Sequence, residues 1–216
     1  NVYVADSQNH RIQVFDANGL FLREWGGQGS DVGRFSEPWG VAVSPEGEVA
    51  VADTWNHRIQ IFDTEGNWLR SWGAFGEADA RGAGTLLYGP RDVVYDAEGN
   101  LYVSDTGNKR VIKYDGEGTV LAIVGGLGAE PGQMQEPVGL ALDAEGRLYV
   151  ADTWNRRIQV FDADLAFERE WPVAAWDGMS VVHKPYLAVD DGRVYVTDPE
   201  GYRVIAYDGD GAVQDV

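Results

Sequence analysis

Residues 53–63 read DTWNHRIQIFD. Close variants return at 6–16 (DSQNHRIQVFD), 105–115 (DTGNKRVIKYD) and 152–162 (DTWNRRIQVFD), with a degenerate copy at 198–208 (DPEGYRVIAYD). The leading aspartates are 47, 52, 47 and 46 residues apart. A period of this size means a solenoid or a propeller, and the content of each repeat decides between them.

The content is strand. A short apolar run precedes each aspartate, such as Val49-Ala50-Val51-Ala52 or Leu148-Tyr149-Val150-Ala151, and a second follows the arginine, as in Arg58-Ile59-Gln60-Ile61-Phe62. Both are short and rich in β-branched and aromatic residues, which favours strand over helix. The polar Asp-Thr-x-Asn between them suits a hairpin connection. In the second repeat the pattern predicts strands over 41–43, 49–52, 58–62 and 68–72, with turns between them. The other repeats follow suit, except that the first lacks its opening strand, so nineteen strands are expected in five units. A four-stranded antiparallel meander, repeated, is a propeller blade. Its inner strands have neighbours on both faces and alternate little. The chain is therefore read as all-β, a β-propeller of four-stranded antiparallel blades, with residues 1–216 forming one domain.

Composition narrows the function. Hydrophobic residues make up 44% of the chain, enough for a real core. The formal net charge of −18 argues against a nucleic-acid ligand. With no cysteine, disulfides and thiolate metal sites are excluded. No apolar run approaches the ~20 residues of a membrane span. The chain opens at Asn1 inside a strand, and 211–216 stop where other repeats run on into Trp-Gly. It is thus expected to be a segment of a longer chain.

The stretch VADTWNHRIQIFD, with P-x-G-V-A-V before it and a Leu-Arg-x-Trp-Gly step after it, resembles the NHL repeat. The Asn-His-Leu step of that family reads here Asn-His-Arg, Asn-Lys-Arg or Asn-Arg-Arg, as in bacterial members. The resemblance implies a β-propeller, usually of six blades, of which this chain supplies five repeats. It also implies an exported or membrane-anchored, extracytoplasmic protein. The fifth repeat departs most, with Pro199, Gly201 and Tyr202 in place of Thr, Asn and a basic residue.

Each repeat pairs an aspartate with an arginine five residues on, and such regularity reads as a folding unit rather than a site. Related amidating lyases hold zinc with converging histidines, but His10 and His57 sit beside hairpins and His183 is alone before a first strand. Lactonase-like propellers hold calcium at the axis. The comparable positions here are Gly40, Asp92, Gly139 and Tyr186, and one acid is too few for that ion. No metal and no cofactor are expected. Trp25, Trp72 and Trp171 end fourth strands at one repeat position and read as packing residues. The acid-rich turns, holding about half of the 35 acidic residues, read as turn chemistry plus solubility.

The remaining aromatics are different. Trp55 and Trp154 fall at hairpin tips where other repeats carry Gln8, Gly107 and Glu200. Trp39, Arg91 and Tyr186 flank the starts of first strands. These positions share one face with the variable loops 26–37, 73–89, 125–136 and 172–183. The expected binding site is Trp39, Trp55, Arg91, Trp154 and Tyr186, an aromatic floor with a cationic centre and with a gap at Gly107, suited to a protein, peptide or glycan. The function expected is a non-catalytic binding or scaffold platform. The alternative is a lyase- or lactonase-type enzyme with a metal-assisted site at the channel mouth. No nucleophile elbow, phosphate loop or HExxH motif is present.

Some animal NHL propellers bind RNA on the loop-rich face. Here Arg34, Arg91, Lys109, Arg110, Arg156 and Arg157 on that face are opposed by the leading aspartates. Filter binding at physiological salt is expected to detect only weak background; submicromolar affinity with a steep salt slope would overturn this.

Overall fold

In the computed structural model, which describes residues 1–77, 84–176 and 184–215, the chain is a five-bladed β-propeller. Blade one comprises Val2–Asp6, Arg11–Phe15 and Phe21–Gly26. Blade two comprises Pro38–Val43, Val49–Asp53, Arg58–Phe62 and Trp68–Trp72. Blade three comprises Val93–Tyr95, Leu101–Asp105, Arg110–Tyr114 and Val120–Gly125. Blade four comprises Pro137–Leu142, Leu148–Asp152, Arg157–Phe161 and Phe167–Pro172. Blade five comprises Leu187–Asp190, Arg193–Asp198, Arg203–Asp208 and Val213–Asp215. Every blade is an antiparallel sheet in sequence order; blade one has three strands and the others four. The nineteen blade strands agree with the repeat pattern. One addition does not: Ala74–Phe75 and Leu86–Leu87 form a parallel two-stranded ribbon. No helix is long and apolar enough to cross a membrane among the described residues.

Four hydrophobic cores lie between the five blades. Alternation along one strand explains them. In blade two, Val49 and Val51 pack with Ile12 and Tyr3 of blade one, while Ala50 and Ala52 pack with Leu101 and Val103 of blade three. Each fully buried valine, isoleucine or phenylalanine contributes roughly 1.5–3 kcal/mol. Blade stacking is thus the main source of stability. The tryptophans ending fourth strands lock successive blades: Trp25 lies on Gly66, Trp72 on Gly118 and Trp171 on Gly211, and a Cβ on any of these glycines would run into the indole. The packing role expected for these three residues is what the structure shows.

The Asp–Arg pair proves to be part of a larger hub. Asp53 is fully buried. Its Oδ2 accepts from Arg58 Nε at 2.7 Å and Gln60 Nε2 at 3.0 Å, and Asn56 Nδ2 bridges both oxygens at 2.9 and 3.0 Å. Oδ1 also accepts the backbone N–H of Ser36, in the loop leading into the same blade, at 2.8 Å. Asp105 and Asp152 do the same with the N–H groups of Tyr88 and Gln135, at 2.7 and 2.9 Å. Thr54 Oγ1 meanwhile donates forward to Pro90 O at 2.8 Å, and Ser7 Oγ to Pro38 O at 2.6 Å. The connection expected as a plain hairpin is a 3-10 turn closed by a left-handed residue: His10, His57, Lys109 and Arg156, at φ of 53° to 60°. Non-glycine residues resist that conformation. The histidines offset the cost by accepting backbone N–H groups of the next blade's loop, Glu37 N to His10 Nδ1 at 3.0 Å and Gly89 N to His57 Nδ1 at 3.1 Å. Burial lowers the His57 pKa, in keeping with a neutral ring that accepts. Blade five keeps the Asp198–Arg203 pair at 2.9 Å despite its degenerate tip.

Asp152→Ala strands Arg157 without its buried carboxylate and should cost about 3–5 kcal/mol in urea unfolding. Asp6→Ala removes the same motif residue from a part-exposed pair in blade one, where among the described residues the carboxylate holds no loop N–H, and should cost much less. Equal losses would mean that the loop contact contributes nothing.

Candidate functional site

The loop-rich face is built on the blade-two-to-three junction. Pro38–Val43 starts the innermost strand of blade two and carries Trp39 beside the axis. Arg91 comes from the start of blade three and lays its guanidinium over two rings, 4.4 Å from the Trp39 centroid and 5.7 Å from that of Trp55. Trp55 stands on the tip turn of blade two, 45% exposed, and its indole N–H donates to Glu37 at 3.2 Å. Trp154 occupies the equivalent tip of blade four and is 50% exposed. Lys184 Nζ lies 5.6 Å from its ring centroid. Lys184 also pairs with Glu136 at 3.1 Å.

Of the five expected site residues, the structure brings Trp39, Arg91 and Trp55 together. Trp154 is separate, joined to Lys184. Tyr186 does not sit on the same floor: it lines the channel, and its hydroxyl is buried without a protein hydrogen-bond partner among the described residues. Gly107 is glycine because the ring and carbonyl of Tyr88 lie against it, within 2.4–2.7 Å of where a Cβ would be. The expected gap is therefore partly filled by Tyr88, and a cavity of about 200 Å³ remains above it, lined by Trp55, Tyr88, Arg91, Gly107, Lys109 and Glu136. Phe75, Tyr88 and His57 extend the aromatic patch, with centroids 4.8–5.8 Å apart. Sequence reasoning missed Tyr88, Glu136 and Lys184. The signal was available: Tyr88, Ser36 and Gln135 stand equally far before their hub aspartates, and Glu136 and Lys184 each precede the proline that opens a blade. His183 and part of the loops 73–89 and 172–183 lie outside the described residues.

The channel is a second candidate, about 470 Å³, lined by first-strand residues of blades two to five with Asp92 and Tyr186 among them. Gly40 and Gly139 let neighbouring first strands approach closely, Gly40 against Asp92 and Gly139 against Tyr186. Asp92 Oδ1 accepts from Val93 N at 2.9 Å and Oδ2 from Leu140 N at 2.9 Å. Burial pushes its carboxyl up to about 7, with these two amides opposing the shift. Among the described residues no three His, Cys, Asp or Glu side chains cluster as metal ligands would.

The acid-rich turns on the opposite face are explained by their backbone. Asp16, Asp63, Asp115, Asp162 and Asp208 each accept the N–H groups two and four residues on, at 2.8–3.0 Å. For Asp16, Asp63 and Asp115 the hydrogen bonds hold the carboxyl below its usual range.

No curated protein sequence matches the chain. Among solved structures, a catalytically inactive virginiamycin B lyase from Staphylococcus aureus with quinupristin superposes with a TM-score of 0.68 at 13% identity, over 99% of this chain and 64% of that one. The chain therefore spans just under two thirds of the lyase. The nidogen/laminin complex superposes with a TM-score of 0.67 at 20% identity, over 95% of this chain and 70% of that one. A protein of unknown function from Bacteroides caccae gives 0.67 at 12% identity, over 99% and 71%. At these identities the likeness is one of fold. The sequence profile of the NHL repeat matches residues 35–62, 87–114 and 134–161, which contain the hubs of blades two, three and four. The chain belongs to the NHL-repeat β-propellers.

Proposed function

We propose that this propeller is a non-catalytic binding module that presents its loop-rich face to a protein or peptide. The observation that carries the reading is the pair of half-exposed tryptophans at equivalent tips of blades two and four, Trp55, which lines the cavity over Gly107, and Trp154. Exposed indoles backed by a stacked cation are the residues that dominate binding energies at protein interfaces. They are held by Arg91 and Lys184 in fixed orientations, so little side-chain entropy is left to lose on binding. The nidogen/laminin neighbour is a propeller in a protein complex, which supports a protein partner by analogy of fold alone.

One observation favours the enzyme reading: Asp92, buried in the channel and pushed up to about 7, has the pKa of an acid–base catalyst. Its geometry favours a structural role. Both oxygens are engaged by backbone amides, one of them on the neighbouring blade, so the carboxyl ties two first strands together.

The binding reading is tested by selecting peptides from a displayed library on the immobilised protein. Selected peptides should lose at least about tenfold in affinity to Trp55→Ala with Trp154→Ala, while the melting temperature shifts by less than about 3 °C. Retained affinity, or a much lower melting temperature, would move the site elsewhere. The structural role of Asp92 is tested by pH. Its folded-state pKa is raised, so its contribution to stability is fully present below about 4 and is lost as pH rises through about 7. The loss is on the order of 4 kcal/mol. The difference in unfolding free energy between the wild type and Asp92→Asn should therefore shrink or change sign over that interval; a constant difference would remove the buried carboxyl from the account.

A further inference from the structure

We propose that the cavity above Gly107 is a carboxylate pocket and, given that the loop-rich face binds a peptide as proposed, that the bound segment delivers an aspartate or glutamate side chain into it. Three departures from the repeat converge there. The tip position that Trp55 and Trp154 fill in blades two and four is Gly107 in blade three. The residue after the blade-opening proline is Trp39, Val138 or Tyr186 in the other blades and Arg91 in blade three. Blades one and two close their tips with His10 and His57, each of which accepts a loop N–H. Blade three closes with Lys109, whose ammonium has no lone pair to accept one. Features that recur in every blade serve the fold, and departures from them are open to serve a ligand. Arg91, Gly107 and Lys109 line the same space of about 200 Å³, together with Trp55 and Tyr88.

The positive charge of this cavity is unmatched. The hub arginines nearby are neutralised: Arg58, Arg110 and Arg157 each meet their own aspartate at 2.7–2.9 Å. Among the described residues, Arg91 and Lys109 meet no carboxylate. Arg91 lies over the rings of Trp39 and Trp55, and its side-chain N–H groups have no acceptor among the described residues. Cation–π contact uses none of the guanidinium donors, and their fork is what pairs with a carboxylate. Lys109 Nζ donates to Thr106 O at 3.3 Å, a neutral partner on its own turn. Glu136, the acid on the cavity wall, is engaged elsewhere: both of its oxygens lie 3.1 Å from Lys184 Nζ. Its charge is therefore balanced by Lys184, while those of Arg91 and Lys109 face the cavity.

The surroundings select a side chain rather than a chain end. Tyr88 lines the cavity and also belongs to the aromatic patch with His57 and Phe75. Glu136 lines it and joins through Lys184 to the exposed ring of Trp154. A segment that uses these surfaces crosses the cavity instead of ending in it, so the carboxylate it brings belongs to a side chain. The net charge of −18 repels a strongly anionic segment, which leaves a lone acid among neutral or apolar residues. The amide isostere would leave the Arg91 fork unpaired under the bound chain and would be rejected on that account.

The probes are N-acetyl-glutamate N-methylamide and its glutamine counterpart, titrated into the 216-residue protein at physiological salt and followed by NMR. The glutamate probe should shift the Trp55 indole and Lys109 signals saturably, with a Kd on the order of millimolar, as one charge-assisted fork allows. The glutamine probe should leave them in place, a comparison that needs no variant. Arg91→Gln with Lys109→Gln should abolish the response. If that variant melts early, Lys109→Gln alone, on a part-exposed side chain, should still weaken binding about threefold. Peptides selected on the protein are then remade with each acid changed to its amide. One such change should weaken binding to the wild type about tenfold or more, and binding to the double variant not at all. Selected peptides that need Trp55 but no acid would overturn the pocket and leave the binding module standing. A probe response alongside peptides indifferent to Trp55→Ala with Trp154→Ala would overturn the peptide partner instead. Equal response to both probes, no response, tighter binding of inorganic phosphate, or dependence on a free C-terminal carboxylate would each overturn the proposal.

Discussion

The buried carboxylate of the hub is the constraint on which the rest depends. An aspartate taken fully out of water must have its charge and its lone pairs satisfied, or it costs several kcal/mol. Asp53 meets this with a guanidinium, two amide side chains and one backbone N–H that comes from seventeen residues away. That last bond converts a local electrostatic need into long-range order, since the carboxylate is satisfied only when the incoming loop is in place. Burial raises the Asp105 carboxyl even with Arg110 beside it, a sign that desolvation and partners are in close balance there. The forward bonds from Ser7, Thr54 and Thr106 to the next blade's proline carbonyl complete the logic: the hubs of blades two and three secure both their own blade's loop and the start of the neighbour.

Much of this was legible in the chain. The strands, the turns and the Asp–Arg pair could be read because they recur, and recurrence separates a structural requirement from coincidence. The Asn and Gln of the motif recur too, as Asn56, Asn155, Gln60 and Gln159, but their partners are backbone atoms some 27 residues back, and backbone leaves no mark on sequence. The left-handed residue at each tip was hidden for a related reason. The turn commonly selects glycine, yet here a histidine, lysine or arginine fills it, and in the histidine cases the ring's bond to the next loop offsets the strain.

The site was legible only in part. Exposure of Trp55 and Trp154 followed from their place at variable tips, and the nearness of Arg91 to Trp39 followed from adjacent first strands. Tyr186 was assigned to the same floor on the same logic, but its ring turns into the channel beside Asp92, where burial first, and then the Asp92 charge, opposes ionisation of the phenol. Repeat position gives the Cα and not the rotamer. The parallel ribbon of Ala74–Phe75 and Leu86–Leu87, which brings Phe75 to the patch, extends the single parallel bridges Gln28–Phe35 and Leu127–Met134 at the same place in two other loops, a backbone pairing that the side chains do not announce.

The hub also accounts for how one fold can hold loops of such different sequence. Gln28, Ser30 and Asp31 in one loop stand where Leu127, Ala129 and Glu130 stand in another, yet both are gripped at equivalent carbonyl and amide groups. Because recognition is of main chain, the glycines and the buried Phe35 or Met134 are the most constrained, whereas exposed side chains such as Val32 and Leu127 carry no such requirement. A binding face can then be rewritten residue by residue while the energy that holds it stays in place.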